Sequence, residues 1–220
     1  MPYKLSTEQI RELVNQPETG MGYQYVEASM SNSSILKGVV LNSEVFIPEE
    51  KIEKIMGKRF ITYSAVLNEA ESPGYIRKIN VIGRDRLHLG ETKYFAKSAG
   101  VPASQAVISL TEKNQIFKRF SPYRNDHRIN EDGSLKLGAY ATTEADARNV
   151  RTGIDATNRY ALLSDEPAIY VFTIQPPEKT SVRVGTVEPA NGKPGGGVEV
   201  LFENGSPKNT VTGPNIIPAN

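Results

Sequence analysis

Alternating apolar and polar residues predict that this chain is rich in strands and carries only short helices. Residues 23–30 and 35–47 alternate as strands do, with a polar hairpin turn between them. A short helix is predicted to begin after Ser6, because Ser6 and Gln9 can form a capping box, and to end before Pro17. The pattern therefore opens with a helix followed by a hairpin.

Further along the first half, the pattern mixes both element types. It predicts a helix over residues 48–56, strands over 60–67 and 75–82, and a helix over 92–98. The breakers Gly-Val-Pro at residues 100–102 then indicate a boundary, and the chain divides into units 1–105 and 106–220.

The second unit is dominated by strand patterns. These cover residues 107–110, 116–120, 168–174, 182–187 and 198–202. Between the second and third of these strands, the sequence predicts a polar loop over 121–134 and a helix over 145–150. The tail after Gly205 is expected to pack loosely. The fold class is therefore α+β: a small α+β N-terminal part of unknown role, followed by a strand-rich domain.

Composition narrows the classes of function. The 220 residues carry a net charge of +1, are 38% hydrophobic and include no cysteine. A disulfide, a thiolate nucleophile and a sulfur-ligated metal are thereby excluded, and near-neutral charge gives no case for nucleic acid as partner. The two histidines stand outside any metal-ligand pattern, so no metal is expected. Without an apolar signal or a membrane-length segment, we expect a protein that does not enter membranes and is cytoplasmic or exported without a classical signal peptide.

The stretch Lys193–Phe202 is the most informative motif. Three consecutive glycines allow close backbone approach and lead into an apolar strand whose middle carries Glu199. One interpretation is a catalytic carboxylate beside a loop that contacts a ligand. The other is a glycine-rich hairpin with an exposed glutamate.

Arginines and a tyrosine precede this motif. Arg119 lies in a strand pattern, Arg124 and Arg128 in the next loop, Tyr140 before a helix, and Arg159 before a later strand. Arginine binds phosphate oxygens bidentately, tyrosine stacks on a cationic ring, and a carboxylate stabilises a ribosyl cation. This set would suit cleavage of a dinucleotide. Separate surface arginines and a core tyrosine remain the alternative.

Residues 107–203 resemble the NAD-glycohydrolase domain of the tuberculosis necrotizing toxin family. The resemblance is carried by Arg159-Tyr-Ala-Leu-Leu, by a Tyr-x-Phe strand ending in Pro-Pro, and above all by the Pro-Gly-Gly-Gly-Val-Glu run that ends at Glu199. An upstream strand around Arg119 and a Gly-Ala-Tyr step at Tyr140 are also similar. The resemblance implies a split β-sheet, ADP-ribosyltransferase-like domain that uses NAD as substrate and needs no bound cofactor.

Carried over by position, the resemblance assigns roles to seven residues. Glu199, Arg159 and Tyr140 would be catalytic, and Arg119, Arg128, Gly196 and Gly197 would bind the NAD. It also implies a toxin- or effector-like protein that is neutralised by an immunity or inhibitor protein. The family often has glutamine where Glu199 stands, and this loop after Arg119 is longer than usual, so Arg124 or Arg128 could take the phosphate role.

Two other functions stay open. The string Tyr123–Arg128 is similar to the arginine strand of cholera-like ADP-ribosyltransferases, with Thr142 and Thr143 as the hydroxyl motif; this would make the protein a mono-ADP-ribosyltransferase acting on a protein. Transferases often carry a second acidic residue two positions before the catalytic one, where this chain has Gly197. A non-enzymatic binding module is the third interpretation.

Overall fold

The computed structural model describes residues 1–56, 62–82 and 106–220, and shows a mixed α+β protein with two strand-rich sheets. In chain order the elements are β1 (Tyr3–Lys4), α1 (Thr7–Leu13), β2 (Tyr23–Met30), β3 (Ile35–Leu41), β4 (Val45–Pro48), α2 (Glu49–Met56), α3 (Tyr63–Glu69), β5 (Ile76–Val81), β6 (Val107–Leu110), β7 (Phe117–Ser121), β8 (Ala139–Thr143), α4 (Glu144–Ala147), α5 (Gly153–Arg159), β9 (Tyr170–Ile174), β10 (Ser181–Thr186), β11 (Val198–Phe202) and β12 (Val211–Ile216). None of the helices in the described ranges is long and apolar enough to cross a membrane. The helix predicted over residues 92–98 and the breakers at 100–102 lie outside the described residues.

The first sheet has five strands in the order β1-β4-β3-β2-β5, with antiparallel neighbours. Period-2 alternation sends Val26 and Val40 to the face that packs with Leu13 of α1. Leu41 and Ile47 lie on the opposite face, in the cluster that α2 and α3 cover. Both faces are thus buried.

The single strand predicted over residues 35–47 is wrong, because the chain turns at its middle. Asn42 and Ser43 both have positive φ, at 50° and 54°, which divides the segment into β3 and β4. Two successive positive φ angles are typical of a type I′ hairpin turn, and asparagine tolerates that conformation better than most residues.

The strand predicted over residues 60–67 is also wrong where the structure describes it. Tyr63–Glu69 forms α3, and the side chain of Thr62 caps this helix by accepting from the backbone N–H of Ala65 at 3.3 Å. A cap followed by alanine, leucine and glutamate favours a helix, which outweighs the β preference of the residues before it.

The second sheet has seven strands in the order β12-β9-β7-β8-β11-β10-β6. Its two halves meet where β7 pairs with β8 through only two positions, Phe117 with Thr143 and Lys118 with Thr142. Alanines on β8 and the apolar residues Val200 and Phe202 of β11 fill the core on one face. The opposite face of β8 and β11 is where the candidate site lies.

The tail after Gly205 is ordered rather than loose. It forms β12, which pairs with β9, and the carbonyls of Pro218 and Ala219 accept from the N–H groups of Gly153 and Ile154. These N–H groups open α5 and have no partner within a helix, so the tail satisfies them. Helix α5 is absent from the sequence prediction, although its capping box, Thr152 with Asp155, is visible in the sequence.

Candidate functional site

Tyr140, Thr142 and Glu199 lie on one face of two adjacent strands. Val200 pairs with Ala141 and Leu201 with Tyr140, so the same antiparallel register places Glu199 beside Thr142. Glu199 is only 6% exposed. On its other side it pairs with Gly185 of β10. The strands thus bring together a buried acid, a hydroxyl and an aromatic ring.

The glycine motif holds the start of β11 against the end of α5. The N–H groups of Gly195 and Gly197 donate to the carbonyls of Asn158 and Arg159, both at 3.1 Å. A Cβ at position 197 would lie 2.5 Å from the ring of Tyr160, so only glycine fits there. The loop therefore fixes Arg159 next to the strand that carries Glu199.

This geometry changes the role predicted for Gly196 and Gly197. Both are buried, and their N–H groups donate to the carbonyls of Val187 and Arg159, at 2.9 and 3.1 Å. These glycines position other residues, and their N–H groups do not face a ligand.

Arg159 is held by a carboxylate that sequence reasoning missed. Its Nε donates to Asp146 at 3.0 Å and its Nη2 completes a two-pronged ion pair. The hydrogen bonds that Arg159 donates to Asp146 raise the pKa of Arg159. Within the described part of the chain Nη1 has no hydrogen-bond partner, and 24% of the side chain is exposed. Asp146 thus orients Arg159, whose side chain is partly exposed.

Asp146 joins the other members of the site. It also accepts from the hydroxyl of Tyr160 at 3.0 Å and from Thr142 Oγ1 at 3.3 Å. Burial, followed by the charge of Asp146, raises the pKa of Tyr160, so this phenol stays protonated and donates. A sequence signal for Asp146 does exist, since its backbone N–H is capped by Thr143 three residues earlier. That signal predicts a helix start and says nothing of Arg159.

Arg119 lies away from the residues around Glu199, and all of its N–H donors have partners inside the protein. Because Lys118 pairs with Thr142, the side chain of Arg119 lies on the face opposite Thr142 and Glu199. It is 0% exposed, and its five N–H donors make five hydrogen bonds: two each to Glu18 and Asp126, and one to the carbonyl of Tyr140. The phosphate contact predicted for Arg119 has no donor left in this arrangement.

The guanidinium of Arg128 is also bound by groups of the protein itself. Its Nε lies 3.6 Å from Oε1 of Glu18, so the two side chains form an ion pair. Its guanidinium also donates to the carbonyls of Leu13, Val14 and Gln16 at 3.5, 3.4 and 2.6 Å. Leu13 and Val14 end α1, where a helix leaves acceptors unsatisfied, and Gln16 follows. Arg128 therefore caps the end of that helix instead of binding a phosphate. We name Glu18, Arg119, Asp126 and Arg128 the junction network, because it crosses the predicted boundary between the two units.

Within the junction network, the arginine charge stabilises the charged form of a buried carboxylate. Burial by itself would raise the pKa of Asp126, but the charge and hydrogen bonds of Arg119 bring that pKa below its ordinary value. Glu18 is missed by sequence reasoning, since a lone glutamate after Pro17 carries no pattern that points to arginines a hundred residues later. The network is a structural ion cluster.

A cavity of about 520 Å³ lies away from the site around Glu199. Its walls come from both sides of the predicted boundary, and they include Arg124, the other arginine considered for phosphate. Tyr140, Arg159 and Glu199 do not line it. Among the described residues there is no group of three or more His, Asp or Glu side chains that could hold a metal ion.

The chain has a weak structural similarity to one solved structure and no match to a family model or a curated protein. Among solved structures, the chain is similar to a chain in the structure of Tne2 in complex with Tni2, at 12% identity and a TM-score of 0.31, covering 53% of this chain and 95% of that one. The resemblance described for residues 107–203 stays a prediction.

Proposed function

We propose that the second unit is an NAD glycohydrolase that cleaves the nicotinamide–ribose bond to give ADP-ribose and nicotinamide. The observation that carries the proposal is the buried Glu199, which shares a sheet face with Tyr140 and Thr142. Thr142 donates to Asp146, and Asp146 holds the partly exposed side chain of Arg159. The sheet whose halves join over two positions is also compatible with the split-sheet domain expected from the sequence.

The chemistry follows from these positions. The glycosidic C–N bond breaks, its electron pair leaves with the ring as neutral nicotinamide, and positive charge develops on the ribose. Glu199 stabilises that charge because its side chain is largely shielded from water. Water then adds to the ribosyl carbon and releases a proton. Tyr140 packs against the nicotinamide side.

Arg159 takes over the phosphate role predicted for several arginines. Arg119 and Arg128 have their donors in the junction network, whereas Nη1 of Arg159 has no hydrogen-bond partner among the described residues and its side chain is 24% exposed. Asp146 keeps the guanidinium plane in one orientation, so less rotational freedom is lost when a diphosphate binds.

The same structure favours water over a protein as acceptor. A second acidic residue two positions before Glu199 would stand at Gly197, where even a Cβ would lie 2.5 Å from the Tyr160 ring. Purified protein incubated with NAD is expected to release nicotinamide without any protein acceptor. Release only with an acceptor would select ADP-ribosyl transfer, and no release would select a binding module.

We further propose a toxin- or effector-like role with a neutralising immunity or inhibitor protein as partner, which rests on the sequence resemblance.

Arg159→Lys is expected to raise the KM for NAD by about tenfold, with a smaller change in kcat. Lysine keeps the charge but loses the two-pronged bond to Asp146 and the planar contact to phosphate oxygens. Steady-state kinetics measures this, with Arg151→Lys as matched control because Arg151 is exposed on the same segment. An unchanged KM in Arg159→Lys, together with a raised KM in Arg124→Lys, would move the phosphate site to the loop.

Asp146→Asn is expected to raise the KM in the same direction as Arg159→Lys, since the amide can no longer accept from both guanidinium nitrogens. A positioning role makes the two changes non-additive, so the double variant should resemble the stronger single variant. Additive losses in the double variant would contradict that role, and circular dichroism checks that each variant remains folded.

A further inference from the structure

The cavity of about 520 Å³ is lined by residues other than those around Glu199. Its volume is in the range of small-molecule sites, which are frequent between structural units. Glu44 and Tyr63 contribute from the first unit, and Tyr123, Glu166 and Tyr170 contribute from the second. Any molecule bound here contacts both units.

Two carboxylates in this cavity are oriented by neutral donors. The hydroxyl of Tyr63 donates to Glu44, and the N–H and hydroxyl of Ser64 donate to the two oxygens of Glu166 at 3.1 and 2.8 Å. Within the described ranges, neither carboxylate has a Lys, Arg or His nitrogen within 4.0 Å. By contrast, the carboxylates of the junction network are paired with arginine.

Aromatic side chains complete the walls. Tyr63 and Tyr123 meet edge to face with ring centroids 4.6 Å apart, and Tyr170 also lines the cavity. Burial is the main factor that raises the pKa of Tyr63 and Tyr123, so both rings stay neutral. Tyrosine rings attract cations, and the two carboxylates outnumber the one lining arginine, Arg124, which is solvent-exposed.

We propose that this cavity binds a small organic cation of the polyamine type, with amino groups between Glu44 and Glu166 and the alkyl chain against the tyrosines. Because the carboxylates come from different units, such a ligand stabilises their association in addition to occupying the cavity. The site is independent of the proposed NAD cleavage, since none of these residues belongs to the group around Glu199.

Calorimetric titration of the full chain with spermidine tests the proposal. Saturable binding is expected, together with a rise in melting temperature, because a ligand bound only by the folded state stabilises it. Glu44→Gln and Glu166→Gln should each weaken binding by about tenfold, as expected for a lost charge-assisted contact. The matched control, Glu131→Gln, changes an exposed glutamate outside the cavity and should bind as the wild type does.

Three results would overturn the proposal. One is the absence of saturable spermidine binding to the wild type. Another is an equal loss in Glu131→Gln, which would indicate general charge attraction. The third is preferential binding of adenosine monophosphate, which would make Arg124 the centre of an anion site. Nicotinamide release is expected to stay at the wild-type rate in Glu44→Gln and Glu166→Gln, so failure of this site and failure of the proposed activity are separately visible.

Discussion

Glu199→Gln is expected to lower the kcat for NAD cleavage by about 10²–10³-fold while the protein remains folded. Glutamine keeps the shape and hydrogen bonding of the side chain but removes the charge that stabilises the ribosyl cation, and losing one such electrostatic stabiliser typically costs that factor. Because Glu199 is only 6% exposed, water cannot readily replace the lost charge. Single-turnover release of nicotinamide measures the chemical step directly.

Glu203→Gln is the matched control for this experiment. Glu203 directly follows the same strand, but its carboxylate lies at the surface and pairs with Arg183 at 2.8 Å. It should keep the wild-type rate. A wild-type rate in Glu199→Gln would remove this carboxylate from the mechanism, whereas residual activity agrees with the glutamine that the similar family often has there.

Glu18→Ala is expected to destabilise the whole protein by about 3–5 kcal/mol, the range for removing one partner from a buried ion pair. Arg119 would lose two of its hydrogen bonds, and Arg128 its one ion pair among the described residues, while both stay buried. For a chain of this size, that loss corresponds to a drop in melting temperature of roughly 6–20 °C. Urea unfolding gives the free energy directly.

Glu12→Ala is the control, because Glu12 is an exposed residue of the neighbouring helix α1. It should unfold within about 0.5 kcal/mol of the wild type. A Glu18→Ala protein as stable as this control would mean that the junction network contributes nothing to folding.

The junction network joins residues on both sides of the predicted boundary between units 1–105 and 106–220. A fragment that begins near residue 106 retains Arg119 and Arg128 but lacks Glu18 and the carbonyls that end α1. The sequence predicts that a fragment beginning near residue 106 folds and cleaves NAD, because every residue of the candidate site lies within it. Because of the missing partners, we propose instead that residues 106–220 do not fold stably alone. Soluble, active 106–220 would contradict this.

Local signals in the sequence predict local structure well. The capping box of Ser6 and Gln9 is confirmed, and the strand pattern over residues 198–202 corresponds to β11. Such features depend on residues three or four positions apart, or on simple alternation. The turn at Asn42 and Ser43 is missed because apolar residues continue on both sides of it.

Distant partners are where sequence reasoning fails. Arg119 in a strand and Arg159 at a helix end are equally plausible ligand residues in the sequence, and only the fold shows which carboxylate reaches each of them. Glu18 saturates the first, whereas Asp146 leaves part of the second accessible. Likewise, the glycines at 195–197 correctly indicate close backbone approach, but what approaches is the end of α5.

The junction network also has a consequence for the order of biosynthesis. Since a ribosome makes the chain from its N-terminus, Glu18 exists before Arg119, which lies 101 residues further on. Glu18, which lies between α1 and β2, is therefore already part of the chain when the arginines are added. The junction network therefore forms only once the chain up to Arg128 has been synthesised, and until then the carboxylate of Glu18 lacks one or both of its arginine partners.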